Sequence, residues 1–236
     1  MMIDFHSHIL PNMDDGSKSV SESIQMMKIS FAMGIDTMVS TSHYYANSET
    51  IDSFITRRNK GLQILLRELE GIRDVPQIIV SAEVTFFSGM SREMEISRLC
   101  IDKTKYMLIE MPFLEWSSLT INEIKSLISN RGIMPIIAHI DRHLSQQKAG
   151  KIDELLSLGV IFQANAEALF DCECRQTVLK MIGRKEIQLL GSDCHGISYR
   201  SPNLDRAFKI IAKKYGNSTL KNIDINGRKI LNDNYI

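Results

Sequence analysis

The chain has 236 residues, enough for one large α/β domain or two small ones, and its 44% hydrophobic and 24% charged residues exclude a disordered protein. Lys+Arg and Asp+Glu balance at 28 each, so no net field draws the chain to nucleic acid or anionic lipid. No apolar run approaches the roughly 20 residues that span a bilayer and no basic-then-apolar leader opens the sequence, so no direct membrane insertion and a cytoplasmic location are expected.

The chain opens Ile3-Asp4-Phe5-His6-Ser7-His8, which reads as a strand over residues 2–8. Side chains alternate along a strand, so His6 and His8 project to one face. A turn carrying Asp14-Asp15-Gly16 follows. Ser19-Val20-Ser21-Glu22 fits a capping box, opening a helix with Val20, Ile24, Met27 and Phe31 at helical spacing up to Gly34. Residues 36–41 read as a short buried strand with His43 just beyond it. Ile51, Phe54, Ile55, Leu62, Leu65, Leu66, Leu69 and Ile72 then mark a long amphipathic helix that Pro76 stops. Residues 77–83 form the next strand, ending in Glu83, and residues 91–99 a short helix. Residues 106–110 are a strand ending in Glu110.

A second capping box, Thr120 to Glu123, opens a helix that closes at Gly132. Residues 133–138 lead into His139. A helix near 146–158 ends at Gly159, and residues 160–165 are one more strand. A helix near 172–182 ends at Gly183, and residues 187–192 deliver Asp193 and His195. A helix over 203–215 ends at Gly216, and a short helical tail closes the chain. Seven apolar strands alternating with helices imply a parallel sheet covered by helices. With no Pro/Gly/Ser linker, one domain over residues 1–236, a closed or nearly closed barrel, is expected.

His6, His8, His43, Glu83, Glu110, His139, Asp193 and His195 each fall at or just past the C-terminal end of a predicted strand. In a βα-barrel those ends converge on one face, where such enzymes carry their chemistry. Packing does not explain strands that finish repeatedly in His or Glu. Eight such ligands, with Asp14 or Asp15 as a ninth, exceed what one tetrahedral ion holds, and suit two or three ions sharing bridging carboxylates or a bridging hydroxide. Mixed imidazole and carboxylate donors without thiolate point to Mn, Fe or Zn. Clustered divalent ions activate water and clamp the oxygens of an in-line displacement, so phosphate ester hydrolysis is the expected reaction.

Arg142 and Arg200 follow His139 and His195 closely and should overhang the same face, where a guanidinium fork suits phosphate oxygens. The alternative pairs each with a carboxylate. His143 reads as a rim residue. Of the four cysteines (Cys100, Cys172, Cys174, Cys194), which show no disulfide framework or C-x-x-C spacing, only Cys194 raises a question. Cys194 to Arg200 has the Cys-x₅-Arg spacing of cysteine-dependent tyrosine phosphatases. The glycine-rich phosphate cradle is missing and Cys194 sits between two expected ligands, so it reads as a small buried filler.

His6-Ser7-His8, the Asp14-Asp15-Gly16 turn, His43, Glu83, Glu110, His139 and Gly191-Ser192-Asp193-Cys194-His195 together resemble the PHP (polymerase and histidinol phosphatase) family along nearly the whole chain. Ile3 to Pro11, Asp14 to Ser17, Leu108 to Pro112 and His139 to Arg142 are most similar to the bacterial tyrosine phosphatases of capsule and exopolysaccharide operons, the CpsB/CapC type. The resemblance implies a distorted (βα)₇ barrel with three divalent ions, usually manganese. It implies that His6, His8, Glu83 and Asp193 hold one ion, that Glu83, Glu110 and His139 hold a second, and that an aspartate, Asp15 rather than Asp14, holds a third with His43 and His195. The expected catalytic set is Arg142, Arg200 and His43. The implied substrate is the phosphotyrosine tail of a membrane-bound bacterial tyrosine kinase that controls polysaccharide assembly.

Where this subgroup more often has proline after the ligand histidine, this chain has Ile140. Two rival readings stand beside this one. One is a PHP phosphatase of a small metabolite such as histidinol phosphate, which a compact lid would favour and the short loops here do not. The other is a non-catalytic regulator that only binds phosphotyrosine tails, against which the intact ligand set argues. A PHP exonuclease fits poorly with the neutral charge. Exposed helix faces are compatible with a homo-oligomer.

Overall fold

The computed structural model describes residues 2–236. Its first half contains β1 (Met2–Ser7), α1 (Val20–Ala32), β2 (Ile35–Ser40), β3 (His43–Tyr44), α2 (Ile51–Glu68), β4 (Gln77–Val80), β5 (Glu83–Thr85) and β6 (Tyr106–Glu110). There follow α3 (Ser118–Arg131), β7 (Met134–Ile137), α4 (Ala149–Ser157), β8 (Ile161–Asn165), α5 (Arg175–Gly183), β9 (Leu189–Gly191), α6 (Leu204–Tyr215) and α7 (Asn217–Leu231). Every strand pairing is parallel, in two sheets of order β1-β2-β4 and β3-β5-β6-β7-β8-β9. Among the described residues no helix is long and apolar enough to cross a membrane.

Nine strands stand where seven were expected: the strand predicted over residues 77–83 is broken in two, and His43, expected just beyond a strand, opens a short one of its own. Thr41 and Ser42 part β2 from β3, and Ser81 and Ala82 part β4 from β5. Across these breaks the Ser81 N–H donates to the Ser40 carbonyl (2.9 Å) and the Glu83 N–H to that of Thr41 (3.2 Å). His43 and Glu83 thereby become the first residues of β3 and β5, opposite one another in register. At the far edge the Asp193 N–H donates to the His6 carbonyl (2.7 Å) and the His8 N–H to that of Cys194 (2.9 Å), joining the end of β9 to the end of β1.

Two apolar clusters hold these elements. One combines strand residues such as Phe5, Val39, Leu108, Ile136 and Leu189 with Ile230 of α7. The larger packs helix faces, including Met26, Met27, Phe54, Leu65 and Leu127, against the strands. Each such side chain contributes about 1.5–3 kcal/mol when fully buried.

Several local expectations change. In α1 the buried stripe is Ser23, Met26, Met27 and Ser30, while Val20, Ile24 and Phe31 are only partly covered. The Ser19 hydroxyl caps the helix as expected, accepting from the Glu22 N–H (3.2 Å). Residues 90–92 and 96–99 form two 3-10 turns instead of one helix. Helix α3 starts a turn early because Ser117 caps it, its hydroxyl accepting from the Thr120 N–H (3.1 Å). Glu123 instead accepts from the Ser91 N–H (2.7 Å) of the neighbouring turn.

Helix α5 ends at Gly183 as expected, but not through a left-handed glycine. A Cβ there would stand 2.8 Å from the Tyr215 hydroxyl, so the residue is small to admit that ring, and Lys185 takes the left-handed conformation. The short tail is a 15-residue helix, α7, whose Gly227 lets Phe5 approach to where a Cβ would be 2.5 Å away.

Candidate metal centre

The strand ends bring all nine candidate ligands together. His6 Nε2 and His8 Nε2 lie 3.2 Å apart. Both face Glu83 Oε2, at 3.1 and 3.2 Å, and Asp193 Oδ1, at 3.4 and 3.5 Å. His139 Nε2 stands 2.9 Å from the other Glu83 oxygen and 3.6 Å from Glu110 Oε1, while His43 Nδ1 is 3.2 Å from Glu83 Oε2. Asp15 Oδ1 lies 3.3 Å from His195 Nε2 and 3.7 Å from His43 Nε2. Three overlapping groups have all their donor atoms within 4.8 Å of one another: His8, Asp15, His43 and His195; His6, His8 and Asp193; and His43, Glu83 and Glu110.

The imidazoles are oriented from behind. His6 Nδ1 donates to Gln163 Oε1 (3.1 Å), His8 Nδ1 to Asp14 Oδ2 (2.9 Å) and His195 Nδ1 to the Asp193 carbonyl (2.9 Å). Each bond turns Nε2 toward the cluster, the outer-sphere arrangement that metal-ligating histidines use. Asp14 is fully engaged in this role: its oxygens also accept from the backbone N–H groups of His43 (2.8 Å) and Gly16 (2.9 Å). Asp15, by contrast, is 64% exposed and presents its carboxylate to the two histidines.

Buried nitrogens and anionic oxygens converging at these distances, with no thiolate, fit hard-to-borderline divalent cations. The electrostatics agree. Burial opposes charge on His8, yet its bonds to Asp14 and Glu83 outweigh that and raise it to about 10, and His139, bonded to Glu110 and Glu83, rises to about 9. Burial would raise the Glu83 carboxyl, but His6, His139 and His8 hold it well below the carboxylate range. His195 goes the other way, lowered to about 4 by burial and then by the charge of His8, so the pull on positive charge is centred on Glu83 and Asp14.

Arg142 and Arg200 both reach this face. The Arg142 guanidinium donates to Asp193 Oδ2 (2.8 Å), Arg200 pairs with the same oxygen, and Arg200 Nη1 is 3.1 Å from His195 Nε2. Both remain partly exposed, at 34% and 23%.

Cys194 is fully buried, and burial together with Asp4 pushes its thiol far above its ordinary value, the opposite of what a thiolate nucleophile needs. His143 is not at the rim. It is fully buried beside Phe113, Trp116 and His139, with neither ring nitrogen hydrogen-bonded, and burial lowers it to about 4.

The residues that sequence reasoning missed stand behind the donors. Gln163 accepts from His6 and from the His139 N–H (2.8 Å), and Asn165 donates to Asp193 Oδ2 (2.8 Å). Two polar residues at alternate positions of an otherwise apolar strand were the available signal. Asp4 accepts from the Ser192 N–H (2.9 Å) and hydroxyl (2.6 Å). His139, Asp193 and Arg200 adopt left-handed backbone conformations (φ 33°, 51° and 48°), strain of about 1–3 kcal/mol each that is typical of functional positions.

Comparison with known proteins points the same way. Residues 2–232 match the family model described as capsular polysaccharide synthesis, CpsB/CapC. The tyrosine-protein phosphatase CpsB of Streptococcus pneumoniae is 31% identical over 249 residues, covering all of both chains. A crystal structure solved for the metal-dependent tyrosine phosphatases YwqE from Bacillus subtilis and CpsB from Streptococcus pneumoniae superposes with a TM-score of 0.88 at 23% identity, covering 100% of this chain and 96% of that one. The histidinol phosphate phosphatase of Lactococcus lactis shares the fold more distantly, with a TM-score of 0.57 at 14% identity over 91% of this chain and 94% of that one.

Proposed function

The chain belongs to the CpsB/CapC family of capsular polysaccharide synthesis, and on that premise we propose that it is a metal-dependent protein-tyrosine phosphatase. Its substrate is phosphotyrosine on a bacterial tyrosine kinase that regulates capsule or exopolysaccharide assembly, encountered on the cytoplasmic side of the membrane. The observation that carries this reading is the overlap of three donor groups, two through His8 and two through His43, around the Glu83 carboxylate, with two arginines anchored on Asp193 at their edge. The hydrogen bonds between β9 and β1 support one distorted (βα)₇ barrel as the frame.

Three divalent ions, manganese foremost and iron or zinc as substitutes, fit the donors. His6, His8, Glu83 and Asp193 would hold one, Glu83, Glu110 and His139 a second, and Asp15, His43 and His195 a third. Such ions supply an activated water at neutral pH and Lewis-acid neutralisation of phosphate charge. The chain's own residues do the rest. Arg142 and Arg200 take the non-bridging phosphate oxygens, and the shared Asp193 oxygen fixes both guanidiniums before substrate arrives. Asp14 holds His8 and the backbone of His43 in place. The leaving tyrosinate has a conjugate acid pKa of about 10, so departure needs little general-acid help. The exposed Asp15 edge leaves the site accessible to a peptide.

The test is hydrolysis of a phosphotyrosine peptide by chelator-treated protein with Mn²⁺ added back, run beside histidinol phosphate. Metal-dependent turnover of the peptide is expected. Turnover of histidinol phosphate alone would reassign the substrate, and binding of the peptide without turnover would make the protein a regulator.

A further inference from the structure

The donor cluster is bracketed by two exposed aromatic rings. Its imidazoles form a chain of ring contacts, with centroids 4.7 Å apart between His43 and His8, 5.3 Å between His8 and His6, and 5.7 Å between His6 and His139. At one end Tyr45 stacks on His43, at 5.2 Å and 27°. At the other Phe113 stacks on His139, at 5.9 Å and 14°. Tyr45 is 41% exposed and Phe113 53%, so much of each ring is left to solvent beside a polar, buried centre. Neither is a core residue by burial, and an exposed aromatic stacked on a candidate ligand is an unusual place to leave apolar area.

The two histidines that carry these rings stand against one carboxylate, His43 Nδ1 at 3.2 Å from Glu83 Oε2 and His139 Nε2 at 2.9 Å from Glu83 Oε1, so the rings flank a single centre. Phe113 is also backed: His143 stacks under it at 4.9 Å, and Trp116 packs against His143 at 5.3 Å. Trp116 is itself buried and donates through its indole N–H to the Pro112 carbonyl (3.1 Å). The wall therefore rests on a packed stack rather than on a loose loop.

We propose that Tyr45 and Phe113 are the two walls that receive the aryl ring of the substrate and make the site prefer aryl over alkyl phosphomonoesters. This rests on the phosphatase reading above and adds to it the residues that select the tyrosyl group. A phosphate seated among the donors and arginines carries its ester group outward past these rings. A phenyl ring gains an offset or edge contact with each wall, whereas a serine phosphate has no ring to offer.

Calorimetry on the Mn²⁺-loaded protein with phenylphosphonate and methylphosphonate, neither of which has an ester bond to hydrolyse, isolates the ring. Wild type is expected to prefer the phenyl compound about tenfold or more. Tyr45→Ala and Phe113→Ala should each lower the phenyl-to-methyl ratio about two- to tenfold, and the double variant should bring it near one. Tyr45→Phe, which keeps the ring, should restore the ratio to within about twofold of wild type. Metal content and melting temperature, measured alongside, separate loss of the wall from loss of the site. A double alanine variant with wild-type metal content and a wild-type ratio would overturn the proposal while peptide hydrolysis by the wild type stands. Absence of both peptide hydrolysis and phosphonate binding in the wild type would remove the phosphatase reading and this inference together.

Discussion

Gly191 offers the most direct test of whether the histidine cage is a metal centre. A Cβ at this position would lie 2.4 Å from His6 Cβ, 3.0 Å from His6 N and 2.8 Å from Gln163 Nε2, where ordinary contact begins at 3.4 Å. In Gly191→Ala, therefore, His6 must retreat by about 1 Å or β9 must shift by as much, and Gln163, which holds the His6 ring through Nδ1, moves too. Metal–ligand distances tolerate only about 0.2 Å, so a displacement several times larger should weaken Mn²⁺ binding at least tenfold, and disturbance of Gln163 alone accounts for roughly 10–100-fold. Overpacking should also cost about 1–3 kcal/mol of stability. Calorimetric titration of chelator-treated protein with Mn²⁺ reads the first effect, and denaturant unfolding in EDTA reads the second separately. Gly150→Ala, in α4 with nothing within 4 Å of the new Cβ, serves as the control and should leave metal binding alone. A Gly191→Ala protein that binds Mn²⁺ within twofold of wild type would show that His6 is not a ligand.

The adjacent aspartates should separate by stoichiometry. Asp15→Ala is expected to lose one equivalent of bound Mn²⁺ by elemental analysis. Asp14→Ala should keep the count at saturating metal but bind it roughly 10–100-fold more weakly, because Asp14 orients His8 instead of coordinating; equal stoichiometry in both variants would refute the assignment. Cys194→Ala should retain kcat within a few-fold, and thiol alkylation should leave the wild-type enzyme active; inactivation that tracks Cys194 modification would return the chemistry to the thiol. His143 yields a pH signature in metal-free protein. Its folded value of about 4 lies below the 6.5 of an ordinary histidine, so the unfolded chain takes up the proton first and stability falls as pH drops from about 6.5 toward 4. The difference in unfolding free energy between wild type and His143→Phe should accordingly shift against wild type by about 3 kcal/mol over that window, and a flat difference would mean that His143 is solvated.

Much of the fold and most of the donor set were legible because strand ends announce themselves: an apolar run that stops in His, Glu or Asp has no packing reason to do so. The preference for Asp15 over Asp14 rested on the family resemblance, since neighbouring carboxylates have the same chemistry. The three hydrogen bonds that occupy Asp14 and the two histidines that Asp15 faces favour the same choice. Glu123 misled, and Gly183 marked a helix end for a reason other than its conformation. A glycine near a helix end and a Ser/Thr-x-x-Glu run each have a local meaning, and here distant partners, Tyr215 and Ser91, supplied the actual one. α7 was understated because its polar residues hide a buried pair, Ile223 and Ile230, two turns apart.

The broken strands and the left-handed residues escaped for a deeper reason, and they belong together. A strand continued through residues 35–44 or 77–85 would keep strict alternation, and His43 and Glu83 would be placed by the pleat alone. The breaks at Thr41–Ser42 and Ser81–Ala82 release both residues from that register while cross-break hydrogen bonds keep the backbone paired. His139 and Asp193 leave their strands through left-handed conformations that cost about 1–3 kcal/mol apiece, although histidine and aspartate enter this region more readily than most side chains. The alternation of a strand announces none of these features. They fit the proposed metal centre, because a regular parallel sheet points neighbouring side chains along nearly parallel lines, whereas such a centre needs donors that converge. The irregularities at these strand ends are the means by which this sequence turns a repetitive scaffold into a convergent site.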